Sequence, residues 1–337
     1  LKKDIVLGNA LVDMYAKCGV LTEAENVLQE LPIRDVVSWT ALIAGYAEHG
    51  HTKEALRCFE EMQFEGLMPD AIAMTCVLKA CACIGATFKG QEIYNNIANT
   101  SVCMNPFLQS TLIDLFSKGG SLAKAQHVFE KLQEHDIVSW NALIAGYVKY
   151  EYAKEALDCY EEIQIDGLSA NAVTYACSLR ACGILASVDK GLEIHLTIER
   201  GGLSTDLTVG NSLIDMYAKC GMLTKAQEVF DNLIIRNSIS WNALIAGYAQ
   251  LEGDNVFRMM DQMENEGNKP DSTTFVSILC ACNHAGLIEK AESYFLGMDR
   301  GYDIIPNVEH YTCLIESLGR AGQINKAAEL IAKLPFH

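Results

Sequence analysis

The stretch Ser38-Trp39-Thr40-Ala41-Leu42-Ile43-Ala44-Gly45-Tyr46 decides the fold, because the chain writes it three times. It returns at residues 139–147 and again at 240–248, with Asn141 and Asn242 in place of Thr40. Each copy starts 101 residues after the last, and all three tryptophans lie in these copies. Other landmarks keep the step. Tyr15-Ala-Lys-Cys-Gly19 returns as Phe116-Ser-Lys-Gly-Gly120 and Tyr217-Ala-Lys-Cys-Gly221. Leu78-Lys-Ala-Cys81 returns as Leu179-Arg-Ala-Cys182 and, one residue early, as Leu279-Cys-Ala-Cys282. A fixed period is the signature of a stacked array.

Divided at these landmarks, one period holds units of 35, 35 and 31 residues: 36–70, 71–105 and 106–136. The division fits again at 137–171, 172–206 and 207–237, and a third time at 238–271 and 272–307. Residues 5–35 form a unit in front and 308–337 a truncated one behind, which makes ten. Each unit reads as two helices. In 36–70, Ser38 is expected as N-cap, and Trp39, Leu42, Ile43 and Tyr46 follow at helical spacing. Gly50 ends that helix, a second begins near Thr52, and Gly66 stops it ahead of Pro69-Asp70. A lone helical pair has too little apolar face to fold, whereas stacked neighbours bury it on both sides. No segment alternates as a strand does. The expected fold class is all-α, an α-α superhelix or helical-repeat solenoid of about ten two-helix units. A solenoid is one continuous core, so the two domains suggested by 337 residues are not expected.

Composition excludes several classes. No apolar run approaches the roughly 20 residues of a membrane span, so no membrane partner is expected. No stretch reads as a signal peptide or an Arg-rich leader. The chain opens on Leu1 and closes inside a repeat, so it is expected to be an excerpt, with any targeting segment outside it. Thirteen cysteines recur at repeat positions within apolar runs, such as Cys81 and Cys182, Cys18 and Cys220, and Cys58 and Cys159. They read as small core residues in a reducing compartment. Cys81/Cys83 and Cys280/Cys282 lack zinc spacing. Asn99-Thr100-Ser101 matches a glycosylation sequon, without a secreted context to support it. The pairs Glu60-Glu61 and Glu161-Glu162 read as a solvated outer face rather than catalytic carboxylates. A net charge of −17 opposes a nucleic-acid partner, whose usual footprint is basic.

The repeat nevertheless resembles the pentatricopeptide repeat family, whose 35-residue unit is written here as Val-Val-Ser-Trp-Thr-Ala-Leu-Ile…Glu-Ala-Leu…Phe-Glu-Glu-Met…Gly…Pro-Asp. The alternation of three unit types looks like its PLS subclass, found mainly in land-plant organelle proteins. On that resemblance 36–70, 137–171 and 238–271 are P units. Units 71–105 and 172–206 are L, and 5–35, 106–136 and 207–237 are S. Cys282-Asn-His-Ala-Gly286 and Leu318-Gly-Arg-Ala-Gly322 look like the variant L and S pair that closes such arrays, at 272–307 and 308–337. The tetratricopeptide repeat shares the helix pairs, but its unit is a constant 34 residues.

The resemblance implies a right-handed superhelix that binds single-stranded organelle RNA in a mitochondrion or chloroplast, one base per unit, through the fifth and last residues. Both lie near the start of a first helix and open onto the same side of the stack. They are polar nearly every time in an otherwise apolar unit. Capping alone would explain Asp70 or Asp136, but not why Thr40, Ser110, Asn141 and Asn242 vary while their surroundings stay fixed. Aspartate only accepts hydrogen bonds and suits the imino N–H of G and U; asparagine also donates and suits A and C. A short fifth hydroxyl leaves room for a purine, and Asn reaches a pyrimidine. The pairs are Asn9/Asp35 (U), Thr40/Asp70 (G), Ser110/Asp136 (G), Asn141/Asn171 (C or U), Asn211/Asn237 (C) and Asn242/Asp271 (U). Thr75/Asn105 favours A, Thr312 a purine, and Ala176 and Val276 cannot make the fifth-position bond. The expected target is U-G-n-G-Y-n-C-U-n-purine.

The second residues Val6, Val37, Ile72, Val138, Val173 and Ile239 either wedge between bases, as in the family, or fill the core. Lys17, Lys118, Lys219 and Arg320 share the thirteenth position and are candidate phosphate contacts. PLS arrays often end in a zinc cytidine deaminase domain for C-to-U editing, supplied in cis or trans, and L units dock small accessory editing proteins. That chemistry needs His-x-Glu and Cys-x-x-Cys, and neither occurs here. No phosphate-binding or dinucleotide Gly-rich loop is present either. No enzyme activity and no cofactor or metal are expected of this chain. The competing reading is a protein-binding scaffold, which the −17 charge favours.

Overall fold

The computed structural model describes residues 4–97, 105–251, 253–332 and 334. Among these are twenty helices and no strand. They fall into two compact bodies, Leu1–Ser169 and Ala170–His337, of five helix pairs each. Within each body the first helix of a pair packs on the first helix of the next, and each second helix but the last packs on both. Each body is a helical-repeat solenoid with the first helices as its spine.

First helices start at Ile5, Val36, Ala71, Pro106 and Ile137 in one body, and at Ala172, Leu207, Ser238, Ser272 and Val308 in the other. The second helices explain the alternating lengths. In the 35-residue unit 36–70 the second helix is Thr52–Phe64, 13 residues; in the 31-residue unit 5–35 it is Leu21–Glu30, 10 residues. Three of the four missing residues come out of this helix, a little under one turn.

The nine-residue repeat is core on one side. Trp39, Leu42, Ile43 and Tyr46 are buried, as are Trp140, Leu143, Ile144 and Tyr147. Its glycine is fixed by close approach. A Cβ on Gly45 would lie 2.5 Å from the Cβ of Ala16, on Gly146 2.5 Å from that of Ser117, and on Gly247 2.6 Å from that of Ala218. The spine helices therefore touch backbone to backbone here. The tryptophans differ in polar partner. Trp39 Nε1 donates to Glu65 at 2.9 Å. The equivalent residues are Asp166, one methylene shorter, and Glu266, which pairs with Arg236 as Glu65 does with Arg34; among the described residues Trp140 and Trp241 have no partner for Nε1.

Two expectations are corrected, and one of two alternatives is removed. Ser38 is not the N-cap. Asp35 is, and Ser38 is the third helical residue, its hydroxyl and backbone closing a capping box with Asp35. The acceptor one turn earlier is an ionised carboxylate, a better partner for the free N–H groups. Cys18 is exposed at a helix C-terminus rather than packed in the core, and Cys220 is half-buried; Cys58, Cys81 and Cys182 are buried. The second residues are not core, since Val6, Val37, Ile72, Val138, Val173 and Ile239 are 51–78% exposed. The sequon Asn99-Thr100-Ser101 lies outside the described residues. Glu60 and Glu61 pair with Lys89 and Arg57 on the outer face.

Candidate nucleic-acid interface

Every first helix is capped by the last residue of the segment before it. Asp35 accepts from the Ser38 N–H, Asp70 from Ala73, Asn105 from Phe107 and Leu108, and Asp136 from Ser139. Asn171, Asn237 and Asp271 do the same for Thr174, Ser240 and Thr274. Capping is thus real, but it uses only part of each side chain. An ionised carboxylate offers about four acceptor sites, and the cap takes one.

The fifth residue takes a further share. Asn9 Nδ2 donates to both carboxylate oxygens of Asp35 at 3.1 Å. Asn242 Nδ2 donates to both of Asp271 at 2.9 Å. Thr40 Oγ1 donates to Asp70 at 3.2 Å, and Asn211 Nδ2 to Asn237 Oδ1 at 3.4 Å. Four expected pairs therefore meet directly, across 26 to 30 residues of sequence. Two do not. Ser110 donates to the Pro106 carbonyl at 3.0 Å and Thr75 to that of Ala71 at 2.7 Å, without hydrogen bonds to Asp136 or Asn105. Thr312 likewise donates to the Val308 carbonyl, at 2.9 Å. A short hydroxyl one turn into a helix reaches the carbonyl behind it more readily than a side chain across the turn. Asn141 is buried at the same register.

Sequence reasoning missed what holds the asparagines. Ser240 Oγ donates to Asn211 Oδ1 at 2.6 Å, and Thr274 Oγ1 to Asn242 Oδ1 at 2.6 Å. The third residue of the next unit thus grips the amide oxygen and turns Nδ2 toward the last residue. The signal was available, because Ser38, Ser139, Thr174, Ser240 and Thr274 all put a hydroxyl at that third position. Asn9 has no such partner for Oδ1, since Ser38 donates instead to the Asp35 carbonyl at 2.8 Å. At Asp35 burial pushes the carboxyl up, but hydrogen bonds from Ser38 and Asn9 outweigh it and hold the group below its ordinary range.

In the second body these groups open into one cleft of about 390 Å³. Asn211, Asn242 and Asp271 line it, with the exposed Ile239 at its edge and Asp215 and Arg180 one turn further along their helices. The candidate phosphate lysines are each engaged. Lys17 pairs with Asp13 at 2.7 Å, Lys118 with Asp114 at 2.8 Å, and Lys219 with Asp215 at 2.7 Å. Arg320 is exposed and has no carboxylate partner among the described residues, because Glu316 accepts from Asn283 instead. Lys79 and Arg180, which sequence reasoning passed over, are exposed and equally unpaired. The described residues contain no group of three or more His, Cys, Asp or Glu that could hold a metal ion.

Comparison with known proteins meets this geometry. Sequence profiles of the PPR repeat family match residues 34–83, 135–183 and 236–284. Those of the PPR repeat match residues 9–36, 110–137, 211–237, 273–301 and 309–335. The chain belongs to the pentatricopeptide repeat family. A mitochondrial pentatricopeptide repeat-containing protein of Arabidopsis thaliana is 38% identical over 332 residues, 98% of this chain and 53% of the relative. The chloroplastic pentatricopeptide repeat-containing protein DOT4 of the same plant is 40% identical over 330 residues, 97% of this chain and 38% of the relative. The chain thus spans about half or less of these relatives. Among solved structures it is similar to the pentatricopeptide repeat protein PPR10 in complex with an 18-nt psaJ RNA element. The TM-score is 0.76 at 21% identity, covering 92% of this chain and 46% of that one. At that identity the likeness speaks for the helical-repeat fold.

Proposed function

We propose that this pentatricopeptide repeat chain binds single-stranded RNA, one base per unit, through the fifth and last residues. One observation carries the reading: four fifth residues meet the last residue of their own unit while leaving acceptor capacity on Asp35, Asp70 and Asp271 and the amide N–H donors on Asn237. Exposed branched second residues, such as Ile239 at the edge of the cleft, give each base an apolar surface to lie against. A buried structural network would use up its polar groups, and a cap alone would not need the fifth residue. The PPR10 structure, which holds an RNA element, supports the partner class.

The order of units sets the order of bases, U-G-n-G-Y-n-C-U-n-purine. The three unit types mark the PLS subclass, and with it a role as recognition module of a C-to-U editing factor in a mitochondrion or chloroplast. Relatives named for both organelles support that setting. The deaminase would be supplied in cis or trans, with accessory editing proteins docked on the L units. The chain itself contributes recognition and no chemistry. Equilibrium binding of the 337-residue chain to the target RNA and to a scrambled one tests the reading. Preference for the target by fivefold or more is expected. Equal binding, or none, would favour the protein-binding scaffold.

A further inference from the structure

We propose that units 71–105 and 172–206 hold the RNA backbone rather than a base, through their ninth residues, Lys79 and Arg180. This rests on the RNA reading above and assigns those units a task within it.

The fifth position of these units is a poor reader. Ala176 has no hydrogen-bonding side chain, and Thr75, like Ser110 and Thr312, turns its hydroxyl back on its own helix, so neither unit is set apart by its fifth residue as a reader. Four residues on, one turn along the same face, stands a cation. No other unit type places one there. The 35-residue units 36–70 and 137–171 and the related 238–271 have Ala44, Ala145 and Ala246, and the short units have Asp13, Asp114, Asp215 and Glu316. In unit 272–307 the position is Cys280, so two anchors exist, 101 residues apart and three units apart.

Arg180 lines the same cleft as Asn211, Asn242 and Asp271. Asp215 lines it too, yet is taken by Lys219 at 2.7 Å, which leaves the guanidinium without a carboxylate among the described residues. Lys79 stands at the same register and is also exposed and unpaired. An exposed, uncompensated guanidinium on a chain of net charge −17 is available to an anion, and its planar fork matches the paired oxygens of a phosphodiester. The thirteenth-position lysines must first leave an aspartate four residues away.

The test is the salt dependence of binding to the target RNA for the full 337-residue chain. Each phosphate contact on a single strand contributes about −0.7 to the slope of log K against log salt, or about fivefold in affinity at 0.1 M salt. R180A and K79A should each flatten the slope by about 0.7 and weaken all four bases at every position alike. R180K should keep the slope, and K219A should leave it near wild type. An unchanged slope in R180A, or a reordered base preference, overturns the assignment. The two readings fail separately. A wild-type chain that prefers its target while R180A keeps the slope sinks the backbone anchor alone. One that binds without preference but loses slope in R180A sinks base reading alone.

Discussion

The Thr40→Asn substitution tests base reading at a single unit, and the structure sets its size. Thr40 Oγ1 donates to Asp70 at 3.2 Å, and the short side chain leaves room for a purine whose imino N–H meets Asp70, hence G. Asparagine in this place has two precedents. In Asn242/Asp271 the amide nitrogen bridges both carboxylate oxygens and Thr274 grips the amide oxygen. In Asn9/Asp35 the bridge forms, but the amide oxygen is left without a partner. Unit 71–105 carries Ala73 at its third position, so Thr40→Asn alone reproduces the second case. Preference should move from G to U. The contact is worth about 1–2 kcal/mol, which is roughly five- to thirtyfold between RNAs differing at one base. The ungripped amide oxygen costs stability of the order of 1 kcal/mol, because the site is buried. Ala73→Ser, copying Ser240, should recover that stability and sharpen the switch. Asp70→Asn should instead turn G toward A at little cost in stability, since Asn171 and Asn237 cap their helices as well as aspartate does. The assay is a set of binding curves against four RNAs that differ only at the second position of the target, with urea melts alongside. If Thr40→Asn leaves the order of the four bases unchanged, the one-unit-one-base reasoning fails at this unit, however stable the protein is.

Other predictions follow from the packing and the thiols. Gly45→Ala gains about 1 kcal/mol of helix propensity but puts a methyl 2.5 Å from the Ala16 Cβ and 3.1 Å from its Cα. Overpacking against backbone should win, with a net loss of about 1–2 kcal/mol in urea denaturation, and a stabilised variant would show that the spine can open there. Ala186 ends its helix at φ 49°, where most other units place glycine, so Ala186→Gly should raise stability by about 1 kcal/mol; a loss would contradict the strain. The Cys280 and Cys313 sulfurs lie 3.4 Å apart, and the hydrogen bond from Cys313 lowers the Cys280 thiol below its ordinary value, whereas burial raises Cys58, Cys159 and Cys182 to about 12. Iodoacetamide at pH 7.5 should label Cys280 ahead of those three, more slowly as the pH falls, and Cys313→Ala should abolish the lead; equal labelling would refute it. With phosphate contacts at Lys79, Arg180 and Arg320, the salt slope for the target should be about −2, and one steeper than about −6 would mark generic electrostatic binding.

The fold was legible because periodicity is a property of sequence. Trp39, Leu42, Ile43 and Tyr46 return at helical spacing, and the same period returns Gly45 as Gly146 and Gly247, each against the first helix of the short unit before it. The cap was misplaced by three residues because Ser38 and Asp35 both satisfy the N-cap rule, and only geometry shows that they form one capping box. The second residues were ambiguous because an exposed valine and a buried valine read alike in sequence. The convergence of fifth and last residues follows from the stack, whereas the grip of Ser240 on Asn211 joins two units and is seen only once they pack. The cations at Lys79 and Arg180 went unread for a different reason. The repeated lysine at position thirteen is the stronger pattern, and its partner four residues back is a matter of rotamer, not of spacing.

The net charge of −17 is the strongest objection to an RNA partner, and its distribution answers much of it. Only six acidic residues lie on first helices: Asp13, Glu48, Asp114, Asp215, Glu309 and Glu316. Asp13, Asp114 and Asp215 are each neutralised by a lysine on the same helix. The remaining helical carboxylates stand on second helices, where Glu60, Glu61 and Glu292 pair with Lys89, Arg57 and Lys326 or face solvent. Screening over about 8–10 Å at physiological salt confines what is left of their field to the outer surface. The spine helices thus carry neutral asparagines, hydroxyls and capping carboxylates at the recognition positions, with a few unpaired cations between them. Such a surface binds weakly to nucleic acid in general. It puts the discrimination on hydrogen bonds at fixed positions, as a reader of sequence requires and a generic polyanion binder does not. The outer acidity then adds a penalty for any strand that strays from the recognition face, since a phosphate backbone laid along the second helices meets carboxylates rather than lysines.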